Sequence, residues 1–171
     1  MIQPAPLILT LQIDEQAFNY FNDLRKQHFP PQINYLSTHV TLFHHLPAHS
    51  TVTDLLEEAT AQQKNFPVKV SEVIKLGRGV GFKLQSEELA QLHAYLKKQW
   101  SEWLTPQDRQ GFRPHITVQN KVTPEVAQTL FNQLAFSFQP FYLQGIGLSL
   151  WEYLGGPWQK VKDYSFKVGT Y

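Results

Sequence analysis

Two short segments carry the residue types needed to move protons at a phosphate: His39-Val40-Thr41-Leu42 and His115-Ile116-Thr117-Val118. Both read as β-strand, and their histidines lie 76 residues apart. Side chains alternate across a strand, so each histidine shares a face with the threonine two residues on, while Val40, Leu42, Ile116 and Val118 turn into the core. Breaking a phosphodiester requires one group to take a proton from the attacking oxygen and another to give one to the leaving oxygen. Imidazole serves either role near neutral pH. A threonine hydroxyl donates to the non-bridging oxygens, whose charge the transition state redistributes. Two imidazoles and two hydroxyls therefore suit phosphodiester chemistry in a scheme that needs no metal.

A single His-x-Thr triplet carries no weight, since about one His-x-Ser/Thr match is expected by chance in a chain with seven histidines. His49-Ser50-Thr51 is such a match, in a loop that follows Pro47 and has a polar middle residue. What distinguishes the other two is their place in a repeated order of elements. Leu7 to Ile13 reads as a strand, and Asp14 caps a helix bearing Phe18, Phe21 and Leu24. Thr38 to Leu46 is a second strand, Thr51 and Asp54 resemble a capping pair for a second helix, and Pro67 to Leu76 is a third strand. The order then recurs: strand Val80 to Gln85, a Ser86-capped helix with Leu89, Leu92, Leu96, Trp100 and Trp103, strand Pro114 to Asn120, and a helix opened by Thr123-Pro124 whose apolar face is Val126, Leu130, Phe131 and Leu134. Phe136 to Leu150 is again strand. The approximate repeats are 7–76 and 80–150, followed by a C-terminal hairpin at 151–171. Two copies are too few for a solenoid, so two lobes facing each other across a ligand cleft are expected.

The length of 171 residues and 42% hydrophobic content fit one compact domain. Fifteen Lys plus Arg against fourteen Asp plus Glu leave a net charge of +1, too little to neutralise a duplex, so duplex DNA is not expected as a partner. Small or single-stranded anions fit better. With no cysteine, disulfides, thiolate metal sites and a cysteine nucleophile are excluded. No basic leader and no apolar run of membrane-spanning length is apparent, so the expected location is cytoplasmic, with no membrane partner.

Paired His-x-Thr strands in a bilobal chain of this length resemble the two-histidine phosphoesterase superfamily, most of all its 2′-5′ RNA ligase-like members. The motifs are His39-Val40-Thr41-Leu42-Phe43 and Arg113-Pro114-His115-Ile116-Thr117-Val118, and the likeness spans nearly the whole chain. The resemblance implies an α+β, bilobal, pseudo-two-fold domain in which two mostly antiparallel sheets line a central cleft and helices pack outside. It also implies action without cofactor or metal on a 2′,3′-cyclic phosphate, a 2′-5′ linkage or a related nucleotide or short single-stranded RNA end. His39 and His115 become the acid-base pair, and Thr41 and Thr117 the phosphate ligands. The near-symmetric cleft gives no sequence reason to fix which is acid and which base; in hydrolysis His115 is favoured as base and His39 as acid, with the roles exchanged in the reverse reaction. Some ligase-like members place an arginine soon after the second motif, where this chain has Gln119-Asn120-Lys121, which weakens the case for ligation. The rival reading is a non-catalytic nucleotide- or RNA-binding module with the same cleft, which has no need of two titrating groups. Oligomeric state is open.

Strand parity adds Arg113, Phe43, His45 and Gln119 to the cleft face, as a phosphate contact, a stacking ring and polar neighbours of the substrate. Trp151, Tyr153 and Trp158 border a glycine turn and suit either a base platform or hairpin packing. The cluster His44, His45 and His49 is not read as a metal site, because adjacent strand residues point oppositely and Pro47 breaks the alignment of His45 with His49. His28 and His93 are read as surface or boundary residues of helices.

Overall fold

The computed structural model describes residues 1–169; the last two positions of the hairpin expected at 151–171 lie outside them. The first half runs β1 (Leu7–Ile13), α1 (Glu15–His28), β2 (Val40–Leu46), α2 (Ser50–Ala61) and β3 (Phe66–Lys75). The second runs β4 (Val80–Gln85), α3 (Glu87–Gln99), a short α4 (Pro106–Arg109), β5 (His115–Gln119), α5 (Pro124–Ser137) and β6 (Phe141–Tyr153), and β7 (Trp158–Ser165) completes the chain's last hairpin. No helix among the described residues is long and apolar enough to cross a membrane.

Three of the long helices start where their caps dictate. Asp14 accepts from the Ala17 N–H at 2.9 Å, Ser86 from Leu89 at 3.1 Å, and Thr123 from Val126 at 3.4 Å with Pro124 in the first turn. The α2 start differs from expectation. His49 is its N-cap, its Nδ1 accepting from the Thr51 N–H at 3.2 Å, so Thr51 lies inside the helix it was expected to cap. In α5 the buried residues are Ala127 and Leu130, whereas Val126 is exposed.

All strand pairings are antiparallel, and the two sheets expected of the lobes are continuous. The order is β2-β1-β6-β3-β4-β5, with β7 also on β6. The 13-residue β6 makes the junction: Phe141 to Gly145 pair with β3, and Gly147 to Tyr153 pair with β7. On the opposite edge Gly145 to Glu152 pair with β1. Gly145 pairs with both Ile13 and Phe66, and a Cβ there would meet the Phe66 ring at 2.7 Å, so the junction admits no side chain. The sheet curls until its outer strands, β2 and β5, approach within 8 Å between Cα atoms. Those two edges carry the two His-x-Thr segments.

Candidate active site

His39 stands one residue before β2 and His115 is the first residue of β5. Each ring is fixed in the same way, by its own chain. His39 Nδ1 lies 2.8 Å from the Ser37 carbonyl oxygen, and His115 Nδ1 lies 2.9 Å from the Arg113 carbonyl oxygen. A carbonyl only accepts, so each Nδ1 holds the proton and each Nε2 is the bare nitrogen of the neutral ring. Among the described residues the repeated i to i−2 contact leaves both Nε2 atoms without a hydrogen-bond partner. Burial pushes His39 down to about 4, against the raising effect of the Ser37 carbonyl, and the neighbouring charges of Arg25, His115 and His44 lower it further.

Thr41 and Thr117 follow on the same strands, half-buried, paired across the ladder with Thr10 and Gly81. Among the described residues neither hydroxyl makes a hydrogen bond. Beyond the threonines strand parity fails, and it fails identically in both halves. Thr41 pairs with Thr10 but Phe43 with Leu9; Thr117 pairs with Gly81 but Gln119 with Val80. One step on the inner strand thus matches two on the outer one, a β-bulge at Leu42 and another at Val118 that turn the following residue onto the other face. Phe43, expected in the cleft, is fully buried in the core, its ring 4.6 Å from His93 and 5.1 Å from Trp100. Gln119, also expected there, is 4% exposed. His45 is exposed at the far end of β2, its N–H donating to Asp108 at 2.9 Å. Arg113 is exposed, and its carbonyl accepts from His115 Nδ1 at 2.9 Å.

Three residues to which sequence reasoning gave no part in the site hold the two edges. Arg25 of α1, 3% exposed, donates from Nη1 to the Thr117 carbonyl at 2.8 Å and from Nη2 to Asn34 Oδ1 at 3.0 Å, and it stacks on Phe29. Burial lowers it to about 10, so it remains a cation at neutral pH. His93 of α3, 4% exposed, reaches the Leu42 carbonyl of β2 at 3.2 Å, its ring sandwiched between Phe43 and Phe112. It was expected at the surface or boundary of its helix, whereas it is buried. Asp108 of α4 accepts from the His44 and His45 N–H groups and from His44 Nδ1, each at 2.9 Å. Burial alone would raise the Asp108 carboxyl, but these hydrogen bonds hold it below the usual carboxylate range. Each half thus ties down the open edge strand of the other. A signal for Arg25 existed: Ala17, Phe21 and Arg25 recur every four residues on one stripe of α1. His93 likewise lies between Leu89 and Leu96 on the buried stripe of α3.

The three histidines close in sequence take separate partners: His44 is bound to Asp108, the His45 N–H donates to Asp108, and His49 caps α2 beside Trp103. Among the described residues no group of three or more His, Cys, Asp or Glu side chains is placed to hold a metal ion. Trp158 packs against His39 with ring centroids 4.8 Å apart and ring planes tilted by 56°.

The family model described as the 2′-5′ RNA ligase superfamily matches residues 13–157. No curated protein matches the sequence. Among solved structures the chain is similar to TT0787 of Thermus thermophilus, at 15% identity and a TM-score of 0.69, over 96% of this chain and 100% of that one. It is similar to a structure described as a phosphoesterase, at 18% identity and a TM-score of 0.63, over 96% and 99% of the two chains. LigT of E. coli, complexed with 3′-AMP, is similar at 17% identity and a TM-score of 0.58, over 96% and 99%. At these identities the likeness is one of fold: a curled antiparallel sheet in two lobes with helices packed on it.

Proposed function

The chain belongs to the 2′-5′ RNA ligase superfamily, and from that premise we propose that it is a metal-independent phosphodiesterase acting on a 2′,3′-cyclic phosphate, a 2′-5′ linkage or a related nucleotide or RNA end. One imidazole Nε2 takes a proton from the attacking water while the other gives one to the leaving ribose oxygen. Thr41 and Thr117 donate hydrogen bonds to the two non-bridging oxygens. The similarity to LigT solved with 3′-AMP supports a nucleotide as the ligand class.

The observation that carries this reading is the matched tether of His39 to Ser37 and of His115 to Arg113. A binding module would gain nothing from presenting two free Nε2 atoms on facing edges of one sheet. The test is to incubate the protein, with EDTA present, with nucleoside 2′,3′-cyclic phosphates and with short 2′-5′ linked oligonucleotides, and to identify the products. Release of a nucleoside monophosphate or of a shortened oligonucleotide supports the reading. Binding without turnover of either class would favour the non-catalytic alternative.

A further inference from the structure

One exposed imidazole outside the two motifs is held by a buried carboxylate. His44 Nδ1 lies 2.9 Å from Asp108 Oδ1, and the side chain of Asp108 is 1% exposed against 46% for that of His44. A carboxylate only accepts, so Nδ1 holds the proton and Nε2 is the nitrogen turned away from Asp108. The backbone N–H groups of His44 and His45 already anchor this carboxylate to the edge of β2. The ring is an addition to that anchor, and among the described residues its Nε2 has no hydrogen-bond partner.

The register of β2 turns this ring to the cleft. Thr41 pairs with Thr10, Phe43 with Leu9 and Leu46 with Leu7, so His44 and His45 together stand opposite Ile8. Ile8 has the parity of Thr10 on β1, and Thr10 shares its face with Thr41. Of the two histidines only His44 has its ring fixed; that of His45 makes no hydrogen bond among the described residues. The His44 charge is also one of those that lower His39, which puts the two rings within electrostatic reach. The segment that carries Asp108 runs on into β5 and His115, with Phe112 stacked on the His93 that holds the Leu42 carbonyl. His44 therefore stands where the first motif strand meets the approach to the second.

Because Nδ1 keeps its proton for Asp108, Nε2 has an N–H to offer only as imidazolium. Asp108 then balances the charge on the inner side, and the outer side presents one donor and one positive charge. An anionic oxygen is the ligand that suits it. His44 is three residues beyond Thr41, up to about 10 Å along the strand, so it addresses a different group from the phosphate assigned to Thr41. In a nucleotide chain the nearest such anion is the neighbouring phosphate. At an end closed as a 2′,3′-cyclic ester, that neighbour is the 5′-phosphate of the same nucleotide.

We propose that His44, oriented by Asp108, binds the 5′-phosphate of the nucleotide whose 2′,3′-phosphate reacts. The proposal rests on the phosphodiesterase reading for the identity of that nucleotide. It adds a preference for a 5′-phosphorylated end, as in an RNA chain, over a nucleoside cyclic phosphate with a free 5′-hydroxyl. His44 is the contact, and Asp108 is a positioning residue that acts through it.

Calorimetric titration in EDTA compares adenosine 2′,5′-bisphosphate with adenosine 2′-monophosphate; neither contains a diester, so neither is consumed. The bisphosphate should bind roughly five- to 30-fold more tightly. His44→Phe should bring the two affinities within about twofold of each other. His45→Phe, an equal change of charge on the neighbouring residue, should keep most of the difference. Asp108→Asn retains an acceptor for the backbone N–H groups and removes the charge. It should weaken the preference when His44 is present and change it no further in the His44→Phe background. Loss of both affinities alike in either background would reduce Asp108 to a structural role and overturn its positioning of His44. A wild type indifferent to the 5′-phosphate, a preference that survives His44→Phe, or an equal loss in His45→Phe would overturn the proposal. Binding is read here without turnover. A protein that hydrolyses no cyclic phosphate can still show the subsite, and an active enzyme can lack it, so the two readings fail independently.

Discussion

The Arg25 guanidinium, carried by the first half, donates to the Thr117 carbonyl of the second at 2.8 Å, joining the helix after β1 to the strand that bears the second motif. It is answered by Asp108, carried by the second half, which accepts from the N–H groups of His44 and His45 on β2. A sheet edge exposes unpaired donors and acceptors. Here each lobe supplies the missing partners of the other, and this fixes where the two motifs stand across the cleft.

Replacing Arg25 with Met keeps the stem and removes the donors, leaving the Thr117 carbonyl unpaired. Stability should fall by about 1 to 3 kcal/mol in urea unfolding. Because the Arg25 charge lowers His39, the same variant should shift the His39 limb of the activity profile to higher pH. Unchanged stability together with an unmoved limb would mean that the contact positions nothing.

The rate profile itself should be a bell, since hydrolysis requires one imidazole neutral and one protonated. In kcat/KM its lower limb should lie below the unperturbed histidine value of about 6.5, toward the value of about 4 to which burial takes His39. Both one-proton forms carry the same number of protons, so the bell reports the pair. EDTA should leave the curve unchanged. A rate climbing steadily to pH 9, or one erased by chelator, would point to metal-bound hydroxide.

Thr41→Val and Thr117→Val each remove a hydrogen bond to a charged oxygen, worth about 1.5 to 3 kcal/mol, and should lower kcat/KM by about ten- to 150-fold in a folded protein. Threonine and valine share one branched shape, and neither hydroxyl makes a hydrogen bond among the described residues, so the exchange should leave the fold intact at these half-buried positions. Steady-state kinetics showing no loss in either would place the phosphate elsewhere.

Burial takes His93 down to about 4, so the fold keeps it neutral while the unfolded chain titrates near the ordinary value of 6.5. Between those values the unfolded state binds the extra proton. The contribution is therefore complete above about 6.5 and is lost as pH falls toward 4, with a slope of up to roughly 1.4 kcal/mol per pH unit. His93→Phe should flatten that slope, visible as a smaller change of urea midpoint between pH 7 and pH 4.5. It should also cost about 1 kcal/mol at pH 7 through the lost bond to Leu42. An identical slope in the variant would assign the acid sensitivity to other groups.

Much of this was legible in the sequence, and the failures have causes. The motifs stood out because they recur in equivalent strands, and Asp14, Ser86 and Thr123 announced their helices by cap chemistry that needs only local residues. Phe43 and Gln119 were misplaced because a bulge inserts one residue without any turn signal, and every parity argument past it inverts. Arg25 and His93 were hidden because a charged or titrating residue on an apolar stripe is read as an interruption. Each instead meets a carbonyl 92 or 51 residues away. Asp108 lies in a four-residue helix with no periodicity to read.

The most direct test is the initial rate of nucleoside 2′,3′-cyclic phosphate hydrolysis, in EDTA, for the wild type, His39→Ala, His115→Ala and the double variant, with circular dichroism to confirm the fold of each. Two groups acting in one proton relay predict that either single change lowers the rate by roughly a hundred- to ten-thousand-fold, and that the double change is little worse than the weaker single. A folded His39→Ala or His115→Ala protein that kept near wild-type turnover would contradict the two-histidine account.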